Sequence, residues 1–227
     1  MIQKLNHQHQ ICKKKLVYLF VFILFNIFLC NQIVFAQSDV DTNLSVDFSK
    51  FDSERSKNTA DYFFQKALES DNTNDKEENL KKSAAQYYIV TNTDKANPYA
   101  YIQLARIYDM QKNDSYAKAY FFRALGINST NSDANFYFGD FYFSRNQYRK
   151  ALDYYQKALQ YGKTDNSMLY KNIGYIYERF GDLPRANFYY KKSIALNPGD
   201  KDLASKVEES VEDEYEKSGY YKRRLRN

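Results

Sequence analysis

Between residues 167 and 200 the apolar side chains fall into two stripes of helical spacing. Tyr170, Ile173, Gly174 and Tyr177 stand at i, i+3, i+4 and i+7, one face of a helix. Ala186, Tyr190, Ser193 and Ile194 form the second stripe. Gly181-Asp182-Leu183-Pro184 lies between them and reads as a stop followed by a start, with glycine as C-cap, aspartate as N-cap and proline in a first turn. Asn197-Pro198-Gly199-Asp200 closes the unit with turn chemistry. The pattern recurs upstream. Residues 132–166 carry Phe138, Gly139 and Tyr142, then Ala151, Tyr155 and Ala158. Residues 98–131 carry Tyr101, Leu104, Ala105 and Tyr108, then Ala117, Phe121 and Ala124. Asn146 occupies the place of Gly181, and asparagine tolerates the left-handed conformation. Two short amphipathic helices cannot bury their faces alone, so the units must stack.

The aromatic-x2-apolar-glycine-x2-tyrosine run, followed by Ala186, Tyr190 and Pro198, resembles the 34-residue tetratricopeptide repeat. Three consecutive units match. Asn135 replaces the first aromatic, and Ser129 and Lys163 stand where proline is expected. The register slips by one residue between the last two units, most simply at Gly162-Lys163-Thr164. The resemblance implies an all-α fold: a right-handed helix-turn-helix repeat solenoid of tetratricopeptide type, closed by a C-terminal capping helix.

Flanking segments complete the expected organisation. Residues 53–97 read as a degenerate first repeat, with Ala60, Phe63, Phe64, Ala67 and Leu68 on one stripe. A loop at 71–75 separates them from Leu80, Ala84, Tyr87, Tyr88 and Thr91. Residues 201–216 form an amphipathic cap through Leu203, Ala204, Val207 and Val211, its other side acidic with Glu208, Glu209, Glu212 and Asp213. A basic tail occupies 217–227, read as a solvated terminus, and a polar flexible linker 37–52.

Residues 1–36 stand outside this fold. Lys4 and Lys13-Lys14-Lys15 precede an apolar run over 16–30, and Val34-Phe35-Ala36 supplies a small-residue exit. This is the layout of a secretory signal peptide cleaved after Ala36. The alternative is an uncleaved anchor, since 16–36 is just long enough to span a bilayer. Cleavage changes the charge picture. The full chain has 33 basic and 28 acidic residues; without the segment's four lysines the balance is 29 to 28, so its basicity argues for neither a nucleic-acid nor a membrane surface. Membrane association is expected only through an uncleaved anchor. Localisation is expected to be exported: periplasm, cell envelope or extracellular.

Both cysteines (Cys12, Cys30) and both histidines (His7, His9) leave with the segment. What remains lacks the usual general base, thiol nucleophile and common zinc ligands, and no glycine-rich phosphate cradle is present. No cofactor, no metal and no enzymatic activity are expected. In the tetratricopeptide family, first helices line a concave groove that receives a peptide or partner helix. The resemblance places Ile102, Arg106 and Asp109, then Phe136, Asp140 and Phe143, then Lys171, Tyr175 and Glu178 on that face, one step of about 100° from the core stripes. Apolar anchors with a few charges suit a peptide or protein partner. The family's clamp for a chaperone's C-terminal carboxylate is not matched, because Ile102, Arg106, Met168 and Asn172 stand at its places. The expected function is an exported scaffold or adaptor. A glycan-binding envelope module is the alternative, and a carboxylate-based glycan-cleaving enzyme using Asp109, Asp140 or Glu178 a weaker one. Gly174 is expected to permit close helix packing, and Ala105 at the equivalent place leads one to expect that alanine fits there.

Overall fold

The computed structural model describes residues 47–217, with side-chain surroundings through 209. The expected signal segment 1–36, the linker before residue 47 and the tail from 218 lie outside the described residues. Among the described residues there are nine α-helices and one 3-10 turn, with no strand. The helices are α1 Ser53–Glu69, α2 Thr73–Thr93, α3 Pro98–Met110, α4 Asp114–Ile127, α5 Ser132–Phe143, α6 Tyr148–Gln160, α7 Ser167–Arg179, α8 Leu183–Leu196 and α9 Lys201–Lys217. They pair as α1/α2, α3/α4, α5/α6 and α7/α8, each pair packing on the next, with α9 against α8.

Caps set these boundaries. Asp52, Asn72, Asn97, Asn113, Asn131, Asn166 and Asp182 each accept a backbone N–H of the first turn they precede, satisfying donors that a helix start leaves orphaned. Pro98 and Pro184 sit in first turns where a missing N–H costs nothing. The turn inside each of the three clear repeats uses one left-handed residue: Lys112 (φ 62°), Asn146 (φ 57°) and Gly181 (φ 79°). Between repeats, residues 161–166 form the longer connection that absorbs the register slip, with Gly162 at φ 98°.

Two boundaries differ from expectation. The loop at 71–75 is shorter than the sequence implied, because Asn72 caps α2 and the helix starts at Thr73. The end of the expected linker is ordered: Phe48–Lys50 forms the 3-10 turn, and the Phe48 ring meets Tyr88 edge-on, 6.0 Å between centroids.

The core follows the predicted stripes. Leu104, Ala105, Phe121, Phe138, Tyr155, Ile173 and Tyr190 are buried, continuing through Leu203 and Val207 of the cap. Ala60, Phe64, Ala67, Leu80 and Tyr87 are buried in the first pair, whereas Leu68 faces out. The departures from the repeat pattern have local uses. Asn135, 1% exposed, donates its amide to the carbonyls of Asn131 (2.8 Å) and Ser129 (3.3 Å), tying the inter-repeat turn to α5. Lys163 reaches back to Asp133 at 2.5 Å and lies 5.2 Å from the centre of the Phe136 ring.

Candidate functional site

The first helices α3, α5 and α7 carry the face assigned to a partner. Its nine expected residues do not share one environment. Ile102 (2% exposed) and Phe136 (5%) are core, which corrects the expected place of Ile102 on the open face and of Phe136 as an available anchor. Ile102 packs with Tyr101, Ala124 and Ala134. The ring of Phe136 is flanked by Tyr137 and Tyr155, with Lys163 beside it. A step of about 100° from the core stripe leaves a residue inside wherever the neighbouring repeat closes over it.

The apolar surface that remains is C-terminal. Phe143 is half-buried and Tyr175 is 36% exposed. Their rings meet edge-on at 5.5 Å, and Tyr148 at the start of α6 joins both, at 5.8 Å from Phe143 and 5.9 Å from Tyr175. Tyr148 was not expected here; it begins a second helix, and only the fold brings it to the groove side.

Most charges on this face are already paired within the chain. Asp109 meets Arg145 at 2.8 Å. Arg145, from the turn between α5 and α6, also binds Asp114 and stacks on Phe141, so one guanidinium staples α3, α4 and α5. Lys171 pairs with Asp200 at 2.6 Å. Glu178 accepts from Lys206 of α9 and from the Tyr190 hydroxyl, both at 2.6 Å. Burial opposes the Glu178 charge, but those two donors outweigh it and hold the carboxyl below its ordinary value.

Arg106 and Asp140 differ. The Arg106 guanidinium lies 4.7 Å from the ring centre of Phe64 on α1 and 4.1 Å from that of Tyr137 on α5, and it donates to Gln103 Oε1 at 2.7 Å. Asp140 Oδ1 accepts from the Tyr155 hydroxyl at 2.6 Å and from Asn172 Nδ2 at 3.2 Å, and Asn172 also reaches the Tyr155 oxygen at 3.0 Å. This network joins α5, α6 and α7 through neutral donors. Burial without a paired cation pushes the Asp140 carboxyl up to about 6, despite the hydrogen bonds from Tyr155 and Asn172 and the nearby Arg106 charge.

Among the described residues no group of three or more metal-ligating side chains occurs. The three carboxylates that a glycan-cleaving site would use are each held in bonds of the chain's own: Asp109 by Arg145, Asp140 by Tyr155 and Asn172, Glu178 by Lys206 and Tyr190.

Antiparallel helix pairs stacked at a near-constant period, first helices side by side, define a tetratricopeptide-type helical solenoid. The tetratricopeptide repeat family profile matches residues 169–200, the α7/α8 pair. No curated protein matches the chain in sequence. Among solved structures, the chain is similar to pilF of Pseudomonas aeruginosa, with a TM-score of 0.58 and 19% identity over 71% of each chain. It is also similar to PilW, a widely conserved type IV pilus biogenesis factor (TM-score 0.55, 22% identity, 64% of this chain and 62% of that one). A third is YrrB, a TPR protein with an unusual peptide-binding site (TM-score 0.52, 17% identity, 81% of this chain and 87% of that one). At these identities the likeness is one of fold.

Proposed function

We propose that this chain is an exported scaffold that binds a partner protein or peptide on the face of its first helices, between Arg106 and Tyr175. The observation that carries the reading is the Phe143–Tyr148–Tyr175 cluster: three edge-packed rings, partly open to solvent, on a face where the residues one repeat before Phe143 and Tyr175, Asp109 and Asp140, are acidic. Aromatic side chains offer large contact area at small cost in conformational freedom, which favours them as anchors. Binding, not catalysis, is the role the reading assigns to Asp109, Asp140 and Glu178.

Export rests on the sequence of residues 1–36, and the mature chain begins at Gln37 in this reading. Two measurements test the proposal. Intact mass of the exported protein gives its first residue; a species keeping residues 1–36 in the membrane fraction supports the anchor instead. Affinity capture from the native envelope fraction compares wild type with Phe143→Ala and Tyr175→Ala. Partners retained equally by all three proteins overturn the groove assignment.

A further inference from the structure

The residue directly after Ala105, Gly139 and Gly174 occupies one repeated position on the first helices: Arg106, Asp140 and Tyr175. Of the five charged residues expected on this face, Asp109, Lys171 and Glu178 have ion-pair partners within the chain, whereas no such partner is found for Arg106 or Asp140 among the described residues. The row therefore presents a cation and a carboxylate that lack a direct ion-pair partner, though the Arg106 charge is felt at Asp140, and a partly exposed ring, in that order, one per repeat.

Resting on the groove reading above, we infer that this row selects an extended peptide segment bearing an acidic side chain for Arg106, a basic one for Asp140 and an apolar one for Tyr175, in that order along the groove.

Each position is prepared for that role. Stacking between Phe64 and Tyr137 fixes the plane of the Arg106 guanidinium, and Gln103 engages one of its N–H groups. The rest of the fork stays oriented for a carboxylate at little entropic cost. Asp140 is held in place by Tyr155 and Asn172 through Oδ1, which leaves its second oxygen for an incoming donor. A cation arriving there would make the direct pair that the distant Arg106 charge does not, and would favour the ionised carboxylate that burial now disfavours. Tyr175 is backed by Phe143 and Tyr148, so an apolar side chain meets a supported ring.

Spacing sets the length of the motif. Neighbouring packed helices lie about 8–10 Å apart. A polyproline-II segment returns to the same face every third residue, after about 9 Å. The acidic, basic and apolar residues should therefore stand about three positions apart in the peptide, read in either chain direction.

The probe is a display library of random linear peptides long enough to cross α3, α5 and α7, selected on the full chain. Wild type should enrich peptides with the three residue classes at the spacing above. Arg106→Gln should lose the acidic preference and keep the basic one; Asp140→Asn should do the reverse. Neither substitution enlarges the side chain, and a melting temperature no lower than that of wild type is required of each. Affinity of a selected peptide should fall about tenfold in either variant, and the difference should shrink as salt rises. Phe188→Ala, on the outer side of α8, should leave the selection unchanged. Enriched peptides that lack these charges, or keep both in the two variants, overturn the inference while leaving the groove as the binding face. Failure of wild type to enrich any peptide, or enrichment abolished by Phe188→Ala alone, removes the groove reading together with it.

Discussion

The ring of Tyr190 fills the space that a Cβ on Gly174 would need. A methyl placed there would meet Tyr190 Cδ1 at 2.5 Å and Cε1 at 2.6 Å, and Gly139 stands in the same relation to Tyr155. Neither tyrosine can step aside cheaply: both are buried, and their hydroxyls are bonded to Glu178 and Asp140. The expectation that alanine fits at Gly174 is thereby corrected. Ala105 had pointed the other way, but in its repeat the place of Tyr190 is taken by Phe121, which has no hydroxyl and stacks on Phe138 at 4.9 Å.

Gly174→Ala and Gly139→Ala should each destabilise by about 1–2 kcal/mol, an overpacking cost only partly offset by helix propensity. Gly126, on α4 with nothing near its virtual Cβ, is the control: Gly126→Ala should gain up to about 1 kcal/mol. Urea melts of the three variants check the contrast. A Gly174→Ala protein as stable as Gly126→Ala would mean that Tyr190 yields.

The left-handed turn position offers a gain. Lys112 adopts φ 62° where Gly181 stands two repeats on, and the left-handed conformation costs a residue with a Cβ roughly 1–2 kcal/mol. Lys112→Gly should stabilise by up to about 1 kcal/mol after glycine's own entropic loss. Gly181→Ala should lose a similar amount from backbone strain, since no atom lies within 4 Å of its virtual Cβ. Thermal melts at fixed pH decide both signs.

What the sequence made legible follows from what repeats in it. The stripes of α3 to α8 recur at i, i+3 and i+4, so the periodicity located the helices and the buried residues of the second helices, but on the first helices, packed on two sides, it passed over Ala100, Ile107, Ala134, Phe141, Leu169 and Ile176. The face one step round was only partly legible, because its exposure depends on the next repeat. Phe136 and Tyr175 sit on neighbouring helices at positions the repeat treats alike as groove. Yet Phe136 is enclosed by Tyr155 and Lys163, and Tyr175 is partly open. The pairings were not legible at all. Arg145 with Asp109, and Lys206 with Glu178, join residues from different repeats or from the cap, and no local spacing marks them. Asn172 is similar: nothing in its own helix announces the bond to Asp140.

Asp140 should leave a signature in the pH dependence of stability. Its carboxyl titrates near 6 in the folded chain against an ordinary value of 3.8, so the fold prefers the protonated form. The folded state then binds more protons than the unfolded state between those values, and this contribution falls as pH rises from about 4 to about 6. At about 1.4 kcal/mol per pH unit, the loss is at most about 3 kcal/mol. Asp61, Asp114 and Glu178 slope the opposite way, because their folded values are lowered. The difference between wild type and Asp140→Asn isolates the effect. The variant should be the more stable of the two above pH 6, and the gap should close toward pH 4. Parallel stability curves for the two proteins would show that Asp140 stays ionised throughout.

The last prediction separates core from surface on the same helical face. Phe136 and Tyr175 are both aromatic, but burial assigns them different costs. Phe136→Ala should lose about 3–5 kcal/mol, the usual penalty for emptying a buried aromatic site. Tyr175→Ala should lose no more than about 1 kcal/mol, since its ring is partly solvated and its packing partners Phe143 and Tyr148 also hold each other. The order should invert for binding. Tyr175→Ala should weaken retention of a captured partner by roughly thirtyfold, as for a central aromatic anchor, while melting like wild type. Phe136→Ala is then unsuited as a binding probe, because any loss it shows is also a loss of fold. Deleting residues 222–227 is the remaining comparison: the reading gives the basic terminus no part in binding, so retention should alter little, and any change should fade with added salt. A Tyr175→Ala protein that keeps full retention, beside a tail deletion that abolishes it, would move the binding site off the first helices and onto the C-terminus.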